Sequence, residues 1–75
     1  MCNVRIDVIK TGENIAVLRK NRNITVKKLQ EELGFNTPQA IYKWTRGETL
    51  PSVDNLVILA NVLNTTIDNI LVVEK

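Results

Sequence analysis

TVKKLQEELGFNTPQAIYKWTRG, residues 25–47, is the stretch whose reading decides the fold. It reads as two short helices joined by a tight glycine turn. Thr25 is a helix-capping residue type, and Val26, Leu29 and Leu33 follow it at three- and four-residue spacing, so they share one face. Ile24 and Leu29 stand at the spacing of a hydrophobic staple, which fixes how the chain enters the helix. Gly34 ends it, because glycine adopts the left-handed helix exit without steric penalty. Thr37-Pro38 predicts the restart, with threonine as cap and proline at the first helical position, where a missing N–H does no harm. Gly47 closes the second helix.

That second helix has two opposed faces. Ile41 and Trp44, with Ala40, lie on one side, while Gln39, Tyr42, Lys43 and Arg46 follow i, i+3, i+4, i+7 on the other. The pattern suits a helix seated on a core and presented outward. Its outward residues are of the types that hydrogen-bond base edges and phosphates. Gln, Lys and Arg are also common on solvated faces, so the helix alone does not decide. Joined to the preceding helix and turn, it points to DNA. Trp44 reads as core beside Ile41 rather than as a stacking platform. Tyr42 has two readings, packing on Pro38 and Gln39 or reaching a phosphate. Lys27 and Lys28 read equally as solvated or DNA-bound.

The charge distribution agrees. The 75 residues carry a net charge of only +2, yet residues 19–46 hold seven basic residues against two acidic ones, a net of +5. Residues 50–75 carry Lys75 against Asp54, Asp68 and Glu74, a net of −2. One positive half and one mildly acidic half is the asymmetry expected of a nucleic-acid binder, although basic clusters of this size also occur elsewhere. The length implies one small domain whose modest core must pack efficiently. A single Cys2 forms no intrachain disulfide, and without histidine the chain lacks histidine acid–base chemistry and the usual zinc sites. No acid–base pair, nucleophile or phosphate loop is visible, so an enzyme is not expected, nor is a cofactor or metal. No apolar run approaches the ~20 residues of a membrane span and none reads as a secretory signal, so the expectation is a soluble, cytoplasmic chain.

Outward from the central stretch, Val4, Ile6 and Val8 alternate with Arg5 and Asp7, which predicts a short extended N-terminal arm over residues 1–10. Two possibilities stand: the arm pairs as a strand, with Leu71-Val72-Val73 or with a second subunit, or it only packs on the helices. Thr11 is read as the cap of the first helix, with Glu13 in its first turn, Ile15 and Leu18 inward, and Arg19, Lys20 and Arg22 at its end. Asn21 to Asn23 turn into Ile24. Ser52 caps a fourth helix whose Leu56, Leu59, Ala60 and Leu63 form the clearest core stripe, with Asn64 as a left-handed exit. Thr66 caps a short last helix anchored by Ile67, Ile70 and Leu71.

In this order the caps, glycines and apolar positions resemble the Cro and phage-repressor (XRE-like) helix-turn-helix family over roughly residues 11–71. The matching positions are Leu18-Arg19-Lys20, Thr25, Leu29, Leu33-Gly34, Ile41, Trp44, Arg46-Gly47, Pro51-Ser52, Leu56 and Ile67 to Leu71. The resemblance implies an all-α, five-helix, lambda-repressor-like DNA-binding domain over residues 11–75, with the helix-turn-helix formed by its second and third helices. It implies that the third helix enters the major groove of double-stranded DNA. Gln39 and Lys43 are then the base-reading candidates, with Thr37, Pro38 and Tyr42 beside them. Thr25 and Lys27 on one flank and Arg46 and Thr49 on the other are the phosphate candidates. The implied role is a transcriptional regulator that represses by occupying its operator, as a homodimer and with no small-molecule ligand. A protein-interaction module on the same scaffold, antitoxin-like or an assembly factor, is the alternative.

Four departures from the family pattern carry expectations. Thr45 stands where a glutamate often pairs with the arginine of the first helix, so Arg19 is expected to turn to Glu31, Glu32 or a phosphate. Gln30 replaces a small residue and predicts a wider crossing of the two helices. The turn Gly34-Phe35-Asn36-Thr37 is one residue longer than the common form, which bears on the pose of the third helix. Val26 replaces a glutamine that often donates to phosphate.

Overall fold

Asp7, not Thr11, starts the first helix. In the computed structural model, which describes residues 4–74, α1 spans Val8–Asn21 and the Asp7 side chain accepts from the Lys10 N–H at 2.9 Å. Aspartate with extended backbone is as good a cap as threonine. The alternation of Val4, Ile6 and Val8 hides it by carrying the strand pattern one residue into the helix. Residues 8–10 are therefore helical, and Glu13 lies beyond the first turn. Thr11 is instead fully buried, and its Oγ1 accepts from the Val72 N–H at 2.9 Å.

Four more helices follow: α2 (Val26–Leu33), α3 (Gln39–Thr45), α4 (Val53–Val62) and α5 (Ile67–Ile70). Thr25, Ser52 and Thr66 cap α2, α4 and α5 through their side-chain oxygens, as their residue types predict. Thr37 does not cap α3. Pro38 holds the N-cap position with no side-chain bond, so α3 begins one residue later than Thr37-Pro38 suggests.

The exits of the first four helices share one geometry. At Asn23, Gly34, Gly47 and Asn64 the backbone turns left-handed, with φ between 53° and 76°. At each, the next N–H returns to a carbonyl five residues back, for example Phe35 to Gln30 at 3.0 Å and Glu48 to Lys43 at 2.9 Å. This Schellman closure satisfies carbonyls that a helix end otherwise leaves open.

The extended segment pairs as a strand. β1 (Arg5–Ile6) runs antiparallel to β2 (Val73–Glu74), with Arg5 opposite Glu74 and Ile6 opposite Val73, and Arg5 meets Glu74 in an exposed ion pair at 3.3 Å. Asp7 N–H extends the pairing to the Val72 carbonyl at 2.7 Å. Asn14 Nδ2–H binds the carbonyls of Asn69 and Ile70 at 2.6 and 3.0 Å, so α1 closes the end of α5.

Every helix contributes to one core: Ile15 from α1, Leu29 and Leu33 from α2, Ile41 and Trp44 from α3, Leu56 and Leu59 from α4 with Leu63 just beyond, and Ile70 from α5. α1 packs chiefly on α3, and α2 on α4. Gly12 makes the first of these crossings possible. A Cβ there would land on the Trp44 carbonyl oxygen, with the Trp44 carbonyl carbon at 3.0 Å and Thr45 Cα at 3.2 Å. Among the described residues no helix is long and apolar enough to cross a membrane. Cys2 and Lys75, each given a reading from sequence, lie outside the described residues.

Candidate nucleic-acid interface

α3 is aimed from below. Ile41 is fully buried and Trp44 3% exposed, and Phe35 from the preceding turn meets the Trp44 ring edge-on, with centroids 5.8 Å apart at 63°. Ala40 is half-buried against the same core. With those side chains fixed, helical geometry turns Gln39, Tyr42, Lys43 and Arg46 outward, and all four are exposed. Tyr42 keeps 45% of its surface. Thr45, at the position where the resembled family often carries a glutamate, donates through Oγ1 to the Tyr42 carbonyl at 3.1 Å.

The turn before α3 is braced by Gln30, whose Nε2–H donates to the Phe35 carbonyl at 3.2 Å. The long side chain in place of a small one thus folds onto the turn. Thr37 is exposed and Pro38 half-buried at the entrance to α3. After α3, Gly47 at φ 76° leads into the exposed Glu48 and Thr49. Thr37, Pro38, Gln39, Tyr42, Lys43, Arg46 and Thr49 therefore follow one another along α3 and its flanking loops. Thr25 and Lys27 belong to a different element, the start of α2.

Charge pairing separates the basic candidates. Lys28 meets Glu32 one turn on at 3.0 Å, and this hydrogen bond, with the Glu32 charge, raises its pKa above the usual lysine value. Lys27 and Lys43 make no ion pair among the described residues. Of the neighbouring lysines in α2, Lys27 is thus the one available to an outside anion. Arg46 is paired with Glu48 through its Nε. From sequence Glu48 is given no role, although its place two residues after Arg46 is a usable signal.

Arg19 takes neither glutamate. Its Nη1–H donates to the Ile24 carbonyl at 2.8 Å, while its Nε is buried without a hydrogen-bond partner. The guanidinium ties the end of α1 to the start of α2, a structural role in place of the expected ion pair. Thr25 Oγ1 accepts from the Lys28 N–H at 3.0 Å, which leaves its own proton for another acceptor. Among the described residues no group of acidic or sulfur side chains converges as a metal site would.

Among curated proteins, sequence comparison finds no match. Solved structures share the fold at low identity. The restriction-modification controller protein C.AhdI from Aeromonas hydrophila superposes with a TM-score of 0.76 at 22% identity, over 85% of this chain and 96% of that one. The DNA-binding domain of BldD superposes at 0.71 and 15% identity, over 88% of this chain and 94% of its own. A helix-turn-helix family model matches residues 15–70, which hold α2, the turn and α3 entire. By that match the chain belongs to the XRE-type helix-turn-helix family of DNA-binding regulators.

Proposed function

We propose that this protein binds double-stranded DNA by seating α3 in the major groove, and that it represses transcription by occupying an operator as a homodimer. The observation that carries the proposal is the division of α3 into a locked side, Ile41 and Trp44, and a free side, Gln39, Tyr42 and Lys43. Gln39 is suited to bidentate contact with adenine N6 and N7, and Lys43 to guanine O6 and N7. Thr37 and Pro38 lie at the entry of the helix, beside Gln39. Thr25 and Lys27 at the start of α2, with Arg46 and Thr49 after α3, supply phosphate contacts that fix register. Two such domains related by a dyad would read half-sites about 34–36 Å apart. The similarity to a restriction-modification controller and to a DNA-binding domain supports a role in control over a catalytic one.

A titration of the 15N-labelled protein with a random duplex tests this. Shifts are expected at Gln39, Tyr42, Lys43, Thr25 and Lys27, and affinity should fall steeply with salt as counterions are released. A chain that ignores DNA at low salt but is retained by a host protein would be the interaction module instead.

A further inference from the structure

Glu48 is poorly explained by stability. It follows the C-terminal end of α3, where a negative charge has the unfavourable sign for the helix dipole. Its ion pair with Arg46 is exposed, the two side chains keeping 48% and 60% of their surface, and exposed pairs add little to stability. Yet its place is fixed. Its own N–H is bonded to the Lys43 carbonyl at 2.9 Å, and Gly47 before it is held at φ 76° against α1, where a Cβ would meet Ile9 Cα at 2.9 Å. The loop backbone keeps Glu48 within side-chain reach of Arg46. A rigid backbone thus presents an anion to the one arginine at the end of the outward face.

We propose that Glu48 is an affinity-limiting residue of the interface: its carboxylate takes the Nε edge of the Arg46 guanidinium as a phosphate would, so a duplex must displace it before gaining that edge. This deepens the DNA-binding reading and rests on it. The expected consequence is an interface whose sequence-independent grip is held down by the cost of opening one ion pair, while Gln39 and Lys43 are untouched.

Binding of a random 20-base-pair duplex, followed by fluorescence anisotropy between 50 and 200 mM salt, tests the proposal with wild type, Glu48→Gln, Arg46→Gln and the double variant. Freeing Arg46 removes the cost of opening the ion pair from a phosphate contact that both proteins make. Glu48→Gln should therefore bind about threefold tighter at 50 mM, with a log–log salt slope close to that of wild type because the number of phosphates contacted is unchanged. The gain should vanish in the Arg46→Gln background. Glu48→Gln with the wild-type affinity overturns the proposal while leaving DNA binding intact. A gain that survives Arg46→Gln also overturns it, because Glu48 would then act by direct repulsion. If wild type shows no salt-dependent binding at all, the DNA-binding reading fails and this proposal falls with it.

Discussion

Substituting Gly12 by alanine tests what sets the position of α3. At an ordinary helix site the change would stabilise by about 1 kcal/mol through helix propensity. Here the added methyl meets the Trp44 carbonyl oxygen well inside contact distance, and the next atoms, the Trp44 carbonyl carbon at 3.0 Å and Thr45 Cα at 3.2 Å, are also backbone. No rotamer change relieves such a clash; α1 and α3 must move apart. Overpacking of this kind costs typically ~1–3 kcal/mol, toward or beyond the upper end when rigid backbone is struck, so a net loss of about 2 kcal/mol is expected. Against a total stability of roughly 4–11 kcal/mol for a chain of this length, that is a large fraction. It corresponds to a fall in Tm of about 8–16 °C. Urea unfolding, followed by far-UV circular dichroism and by the fluorescence of Trp44, measures it. Gly34→Ala is the control. Its φ of 72° is strained for alanine but nothing lies within 4 Å of the new methyl, so its cost is only about 1–2 kcal/mol of backbone strain. If Gly12→Ala proves as stable as wild type, the close crossing does not hold α3, and the account of how its outward face is aimed is wrong.

Trp44→Ala removes the indole from the core together with its edge contact to Phe35, and should lower stability by about 3–5 kcal/mol in the same unfolding assay. Thr11→Val keeps the shape but strips the acceptor from the Val72 N–H; a loss of about 1–3 kcal/mol and faster amide exchange at Val72 are expected, and unchanged exchange would deny Thr11 its role. Lys43→Ala should weaken binding to a selected operator by ~1–3 kcal/mol more than to a scrambled duplex if the lysine reads a base, and equally on both if it touches phosphate. No loss on either removes Lys43 from the interface.

The local signals were legible because each depends on a few adjacent residues. Thr25, Ser52 and Thr66 cap where their residue types and the following apolar periodicity say they should, and Gly34, Gly47 and Asn64 end helices for the reason that glycine and asparagine tolerate positive φ. The inward pair Ile41 and Trp44 follows from spacing alone. What was not legible depends on segments far apart in the chain. Thr11 looks like a cap, but Val72, which comes 61 residues later, turns it into a buried acceptor. With Thr11 read as the cap, Asp7 falls inside an apparent strand. Gly12 looks like part of a helix start, and only the arrival of Trp44 shows that it is a crossing point.

The candidate site divides the same way. Residue type and helical spacing assign Gln39, Tyr42, Lys43 and Arg46 to one face, and they are exposed together. Neither spacing nor type says which cations are free. Lys28 is engaged by Glu32 and Arg46 by Glu48, while Lys27 and Lys43 have no such partner among the described residues. A formal charge count therefore overstates the attraction of this surface for phosphate. The +5 of residues 19–46 already sets Glu32 against Lys28, but it counts Arg46 in full although Glu48, just outside the segment, pairs with it. The cations that stay open are fewer, and one of them, Lys43, sits beside Gln39 on the face that would read bases. Positive charge and base-reading capacity thus coincide on the outward side of α3. A salt slope smaller than the formal charge suggests is the expected signature of that economy.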